Sequence, residues 1–140
     1  VTVTVPAGTP DVRYVWESNG ANTNFRVTSV VPSTQAPSGL VGTGDPTLDL
    51  TTGWRYEFVN TDASGHPMEL VTLGSDPASD TVLFSQQDDP ASETNLGGVD
   101  WTEVDATTFR FTLDGTDSSG IDGYRCFNHP AEMRGDITVN

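Results

Sequence analysis

Apolar and polar residues alternate along this chain in many short stretches, and no long stretch repeats its apolar residues at helical spacing. Successive side chains of an extended strand face opposite ways, so each stretch can bury one face and wet the other. The pattern predicts strands over Val1–Val5, Val12–Glu17, Phe25–Val31, Trp54–Asn60, Met68–Leu73, Thr81–Phe84, Thr107–Leu113, Gly123–Cys126 and Asp136–Val139. Val12, Tyr14 and Trp16 would share one face, as would Trp54, Tyr56 and Phe58, and again Phe109, Phe111 and Leu113. Turn chemistry separates the strands at Ser18-Asn19-Gly20, Ala63-Ser64-Gly65 and Asp114-Gly115. Such a chain is all-β, and a Greek-key antiparallel β-sandwich is expected. Two segments are too long for simple turns. Pro32–Pro46, with three prolines and three glycines, reads as an irregular surface excursion, and the acid-rich Gln86–Asp105 as a loop carrying one short helical turn.

At 140 residues the chain, 1–140, is expected to form one domain that buries roughly two-thirds of its unfolded surface without a disulfide. No apolar run approaches the ~20 residues that span a bilayer, and no signal-peptide pattern opens the chain. Val1 starts directly in a strand pattern, which reads as a mature or trimmed domain and leaves room for a membrane tether upstream of it. Twenty acids face six bases, giving a net charge of −14, and there is no lysine. Nucleic-acid binding is disfavoured, because neutralising phosphates needs clustered Lys and Arg. The acids are scattered along the chain. They read as a hydrated coat suited to strong salt and a halophilic source, rather than as a docking block for a basic partner.

The residues that can carry chemistry are few. Cys126, His129 and Met133 fall within eight positions, and His66 lies in a Gly-His-Pro turn 60 positions before Cys126. One thiolate, two imidazoles and a weak axial thioether form the donor set of a mononuclear electron-transfer copper centre. A single thiol cannot form an internal disulfide. A lone cysteine or histidine is more often structural, but here both histidines fall in turns, in the order and spacing such a site needs. Zinc competes for a Cys-His-His set, yet structural zinc takes four strong ligands and no thioether. A catalytic thiol would need an oxyanion hole and a third member, which nothing supplies. Met68 reads as a core filler, although it could face the site. Acids at Asp88-Asp89 and Asp114–Asp122 match no defined calcium loop.

The stretch Tyr124-Arg125-Cys126-Phe127-Asn128-His129-Pro130-Ala131-Glu132-Met133-Arg134-Gly135-Asp136-Ile137-Thr138-Val139 resembles the copper-ligand loop of the cupredoxins, nearest the plastocyanin, amicyanin and halocyanin group. Trp54 through Leu70, with Asn60, Gly65 and His66, resembles that family's strand and first-histidine loop. The resemblance covers about half the chain closely. It implies a type 1 copper ion with His66, Cys126 and His129 as equatorial ligands and Met133 as axial ligand. It implies a monomeric, extracytoplasmic one-electron carrier rather than an enzyme. Redox partners would dock on a collar of Phe127, Pro130 and Ala131 around a partly exposed His129, with His66 more deeply buried. A copper carrier or delivery module, and a cupredoxin fragment of a larger oxidase or reductase, are the alternative readings.

The chain departs from the family at three places. Three residues separate His129 from Met133, where plastocyanin-like loops have four and amicyanin-like loops two. Arg125, not tyrosine, precedes Cys126. Pro67 follows His66 at a position whose backbone N–H normally reaches the cysteine sulfur, and proline has no N–H. The N–H of Asn128 is the expected replacement donor.

Overall fold

The computed structural model describes residues 9–20, 23–87, 99–113 and 120–140. Ten strands are present among the described residues: β1 (Val12–Ser18), β2 (Phe25–Val31), β3 (Leu48–Leu50), β4 (Arg55–Asn60), β5 (Met68–Thr72), β6 (Thr81–Ser85), β7 (Val99–Glu103), β8 (Thr108–Leu113), β9 (Gly123–Cys126) and β10 (Arg134–Val139). They form two five-stranded sheets, ordered β2-β1-β4-β8-β7 and β3-β10-β9-β5-β6. The chain crosses repeatedly from one sheet to the other, so their inner faces share one core. The architecture is therefore the all-β sandwich expected, with mixed sheets in place of wholly antiparallel ones. β1 lies parallel to β4, and β3 parallel to β10. Both pairs are joined by long connections through the opposite sheet, and such crossovers are what same-direction neighbours require.

The alternation read from the sequence fixes the inner faces. Val12, Tyr14 and Trp16 of β1 are buried, as are Phe109, Phe111 and Leu113 of β8. Tyr56 and Phe58 of β4 join them, but Trp54 lies before that strand, is 36% exposed and does not share its inner face. On β2 the inward set is Phe25, Val27 and Val30, because the register against β1 shifts between Val15 and Trp16. The extra residue of such a bulge moves the alternation by one place. Aromatic rings dominate the packing: Trp16 sits 5.4 Å from Phe58 and 5.2 Å from Tyr124, which joins the two sheets. Both pairs are tilted, while Trp16 meets Phe25 and Phe58 meets Phe111 edge to face, and such contacts add to the burial itself.

The outer faces are tied by ion pairs in register. Glu57 on β4 lies opposite Arg13 of β1 and Arg110 of β8, and each guanidinium Nε donates to it at 2.9 Å. On the other sheet Glu69 of β5 lies opposite Arg125 of β9, also at 2.9 Å.

Both long excursions differ from their expected form. Pro32–Pro46 begins with a 3₁₀ turn at Ser33–Gln35 and then returns to pack on β2, where Val41 bridges Val27 and Gly44 bridges Arg26. Leu40 is buried, and the Pro46 carbonyl accepts the Tyr124 hydroxyl at 2.6 Å. In Gln86–Asp105 the described part after residue 98 includes strand β7, and residues 88–98, where the expected helical turn would fall, lie outside the described residues. Strand β3 was not legible in the sequence, being only three residues long. The expected strand Val1–Val5, the turn Asp114-Gly115 and the pair Asp88-Asp89 lie outside the described residues.

Candidate metal centre

Cys126 ends β9, and the strand's alternation aims it. Tyr124 and Cys126 both point into the sandwich and are fully buried, while Arg125 between them faces outward. Gly135 makes room for Tyr124, because a Cβ there would lie 2.3 Å from the tyrosine hydroxyl oxygen. After Cys126 the chain leaves the sheet and returns at Met133. The Cys126 N–H donates to the Met133 carbonyl at 2.8 Å, and the Met133 N–H to the His129 carbonyl at 3.0 Å. These two bonds close a compact loop that carries His129 at its turn.

His66 comes from the loop between β4 and β5, at the same end of the sandwich. Its N–H donates to the Asp62 carbonyl at 2.8 Å, and Asp62 is held in turn by the Ser18 N–H and hydroxyl. The fully buried Asn60 donates to the His66 carbonyl at 2.8 Å and to Gln86 Oε1 at 2.9 Å. Gln86 Oε1 also accepts the Met68 N–H at 2.9 Å, so a single side chain of the β6 end fixes the strand leaving the loop. The two loops are bound directly to each other. The Phe127 N–H donates to the Pro67 carbonyl at 2.9 Å, and the Asn128 carboxamide to the Gly65 carbonyl at 2.9 Å.

His66 Nδ1 lies 3.6 Å and His129 Nδ1 3.8 Å from Cys126 Sγ, and the two imidazole centroids are 4.9 Å apart. The three residues form a group that can hold a metal ion, with donor atoms within 4.8 Å of one another. With bonds of about 2.0 Å to nitrogen and about 2.3 Å to sulfur, such separations open an angle of roughly 110–125° at a shared ion. That fits a trigonal or tetrahedral ion and excludes a square one. Met133, the fourth expected ligand, is fully buried at the loop's return. Met68, opposite Cys126 in register, is also fully buried and belongs to the core cluster.

Burial pushes the Cys126 thiol up from its ordinary range, and the backbone N–H groups of His129 and Asn128 oppose that rise. The N–H groups of Asn128, the expected donor, and of His129, which was not foreseen, thus both act to favour the thiolate. Pro67 contributes only its carbonyl, to Phe127. Burial also lowers the His66 pKa, with the His129 charge adding to the effect and Asp62 opposing it. A neutral imidazole with a free lone pair is the form that binds metal, so this shift prepares His66 as a ligand. His66 and His129 fall in the same half-buried class, and the expected contrast in their burial is not seen. Phe127 is 46% exposed, Ala131 is exposed and Pro130 is half-buried beside His129.

No family model matches the chain, and no curated protein matches it. Among solved structures it is similar to rusticyanin from Thiobacillus ferrooxidans, with 18% identity, a TM-score of 0.47, and 91% of this chain and 76% of that one covered. Reduced rusticyanin gives 17% identity and a TM-score of 0.47 over 91% of this chain and 78% of that one. An oxidised amicyanin variant gives 14% identity and a TM-score of 0.42 over 96% of this chain and 88% of that one.

Proposed function

We propose that this chain is a cupredoxin-like mononuclear type 1 copper protein that passes single electrons between redox partners. The observation that carries the reading is the placing of one buried thiol between two imidazole Nδ1 atoms at 3.6 and 3.8 Å. His66, Cys126 and His129 would hold the ion, and Met133 would supply a fourth, weaker thioether ligand. Soft sulfur favours Cu(I), while imidazole suits both oxidation states, so copper fits this donor set better than zinc, which has no use for the thioether. When bound, copper supplies a reversible one-electron couple. The protein's part is to hold the ligands still: both loops spring from rigid strands and are hydrogen-bonded to each other, so little rearrangement accompanies each transfer. The sequence 1–140 is read as one such unit.

The half-buried His129 gives the electron its exit, and Phe127, Pro130 and Ala131 form the apolar collar on which a partner docks. The carrier is a monomer that works outside the cytoplasm, in strong salt, tethered to a membrane or free. No helix among the described residues is long and apolar enough to cross a membrane. Protein-film voltammetry of the copper-loaded chain distinguishes an electron carrier from a delivery module. A reversible wave with fast exchange and no loss of copper to an acceptor chelator is expected. Rapid transfer of the metal to the acceptor without a stable wave would favour delivery.

A further inference from the structure

Arg125 immediately precedes Cys126, Arg134 immediately follows Met133, and the two arginines face each other directly across β9 and β10. Like charges opposite one another in an antiparallel pair push the strands apart. Here they close the base of the loop that carries three of the four proposed ligands. Between them stands Asp80, just before β6, whose side chain is 0% exposed. Arg134 grips it from two sides, Nε to Oδ2 at 3.0 Å and Nη2 to Oδ1 at 2.7 Å. Arg125 Nη1 reaches Oδ2 at 3.3 Å, and the Gly74 N–H donates to Oδ1 at 2.8 Å. Arg125 also bonds Glu69, three residues beyond His66 on the strand that leaves the first-histidine loop.

We propose that Asp80 is a positioning residue of the metal centre, clamping both ends of the ligand loop from the outer face of the sheet. The inference rests on the metal reading above. Two arginines and two carboxylates balance in charge, so the clamp holds the loop without placing net charge behind the sulfur. Without Asp80, Arg125 and Arg134 would repel at the one point where the loop is anchored, and Cys126 and Met133 would lose their fixed separation. Enclosed ion pairs are costly to break because the remaining charge is left uncompensated.

Glu57 supplies the control. It too is a buried carboxylate between two arginines, but on a strand of the opposite sheet, and its ion pairs run to β1 and β8 rather than to either ligand loop. Asp80→Asn and Glu57→Gln are compared in the full chain, well below their melting temperatures. In the metal-free protein the readout is the labelling rate of the buried Cys126 thiol by a disulfide reagent. With Cu(II) it is the release rate to a chelator and the shape of the visible and EPR spectra. Asp80→Asn is expected to speed labelling and copper release on the order of 10- to 100-fold, the range found when groups that orient metal ligands are removed. It should also alter the spectra. Glu57→Gln should lower the melting temperature and move none of these. If Asp80→Asn does not fold, Arg134→Lys, which keeps the charge and loses the two-sided grip, should show the same changes in smaller degree. Equal labelling and release rates in the Asp80 and Glu57 variants, with unchanged spectra, would overturn the proposal. A wild type that takes up no copper would defeat the metal reading alone, and the thiol-labelling comparison would still judge the clamp.

Discussion

Asn128 ties the two ligand loops together through its carboxamide to Gly65, and within its own loop its N–H favours the Cys126 thiolate. Hydrogen bonds to a thiolate withdraw charge from copper and favour Cu(I), so each donor raises the reduction potential. Asn128→Pro removes the N–H and the carboxamide, whereas Asn128→Ala removes only the carboxamide. The proline variant is expected to retain copper with a potential lower by about 20–60 mV, the one-electron equivalent of one ordinary hydrogen bond. The alanine variant should lie between it and wild type, and voltammetry of all three ranks them. A proline variant at the wild-type potential would show that His129 alone serves the sulfur. The peptide donors were partly legible: proline at position 67 announces a missing N–H. The roles of Asp62, Gln86 and Asp80 were not legible, because they arise from contacts between segments distant in sequence.

A second residue, Asp45, carries a separate expectation. It adopts a φ of 43° and accepts the Phe25 N–H at 2.9 Å, and burial pushes its carboxyl up from 3.8 to about 6. A folded-state pKa above the unfolded one means that the native protein holds the extra proton between those values. Its stability contribution is therefore present below pH ~4 and lost as pH rises toward 6. Asparagine accepts the same hydrogen bond and tolerates the same backbone. Asp45→Asn should stabilise the metal-free fold by about 1 kcal/mol at pH 7, a figure discounted for the carboxyl's partial exposure. The gain should vanish near pH 4, and denaturant melts at the two pH values measure it. A gain independent of pH would mean that Asp45 is not titrating there.

At the scale of the element, β9 and β10 show why strand existence is easier to read than strand extent. The alternation Gly123-Tyr124-Arg125-Cys126 gave β9 its exact bounds, because one face is wholly buried and the other carries a charge. β10 begins at Arg134, two residues before its predicted start. Neither arginine nor glycine signals a strand, and it is the cross-strand partners Arg125 and Tyr124 that recruit them. β3 escaped notice for a similar reason, since its pairing partner β10 lies far along the chain, whereas β7 pairs with β8 only four residues on and was missed because it falls in a segment rich in acids. Gly135 makes the dependence testable. Gly135→Ala sets a methyl group 2.3 Å from the Tyr124 hydroxyl oxygen, so the ring or β10 must move. Overpacking of this kind costs roughly 1–3 kcal/mol. A shifted visible band is expected as well, since Tyr124 lies two residues from Cys126. Full stability would mean that the sheet has slack at this point.

Across the whole molecule, charge is divided by role. Each of the six arginines has a partner in the structure: Arg13 and Arg110 hold Glu57, Arg26 holds Glu17, Arg125 and Arg134 hold Asp80, and Arg55 reaches Thr102 and Thr112. The cations thus serve the sheets, while the excess acids give the chain its net charge of −14. At ~1 M salt the Debye length falls to about 3 Å and long-range steering by those acids fades. Docking should then depend on the apolar collar. Phe127→Asp or Pro130→Asp is expected to slow electron exchange at high salt at least severalfold, and neutralising acids remote from His129 should barely change it. Stopped-flow exchange at high salt gives the ranking, and the reverse order would put the docking face elsewhere.

Titration of the metal-free full chain with Cu(II), followed by visible absorption and compared with Cys126→Ser, tests the central claim most directly. The wild type is expected to develop an intense sulfur-to-copper band that saturates at one copper per chain, and the serine variant to show only the weak absorption of an ordinary Cu(II) site. A wild type that stays colourless, or a serine variant that keeps the band at full strength, would contradict the assignment of Cys126, His66 and His129 as the ligands of a copper electron-transfer centre.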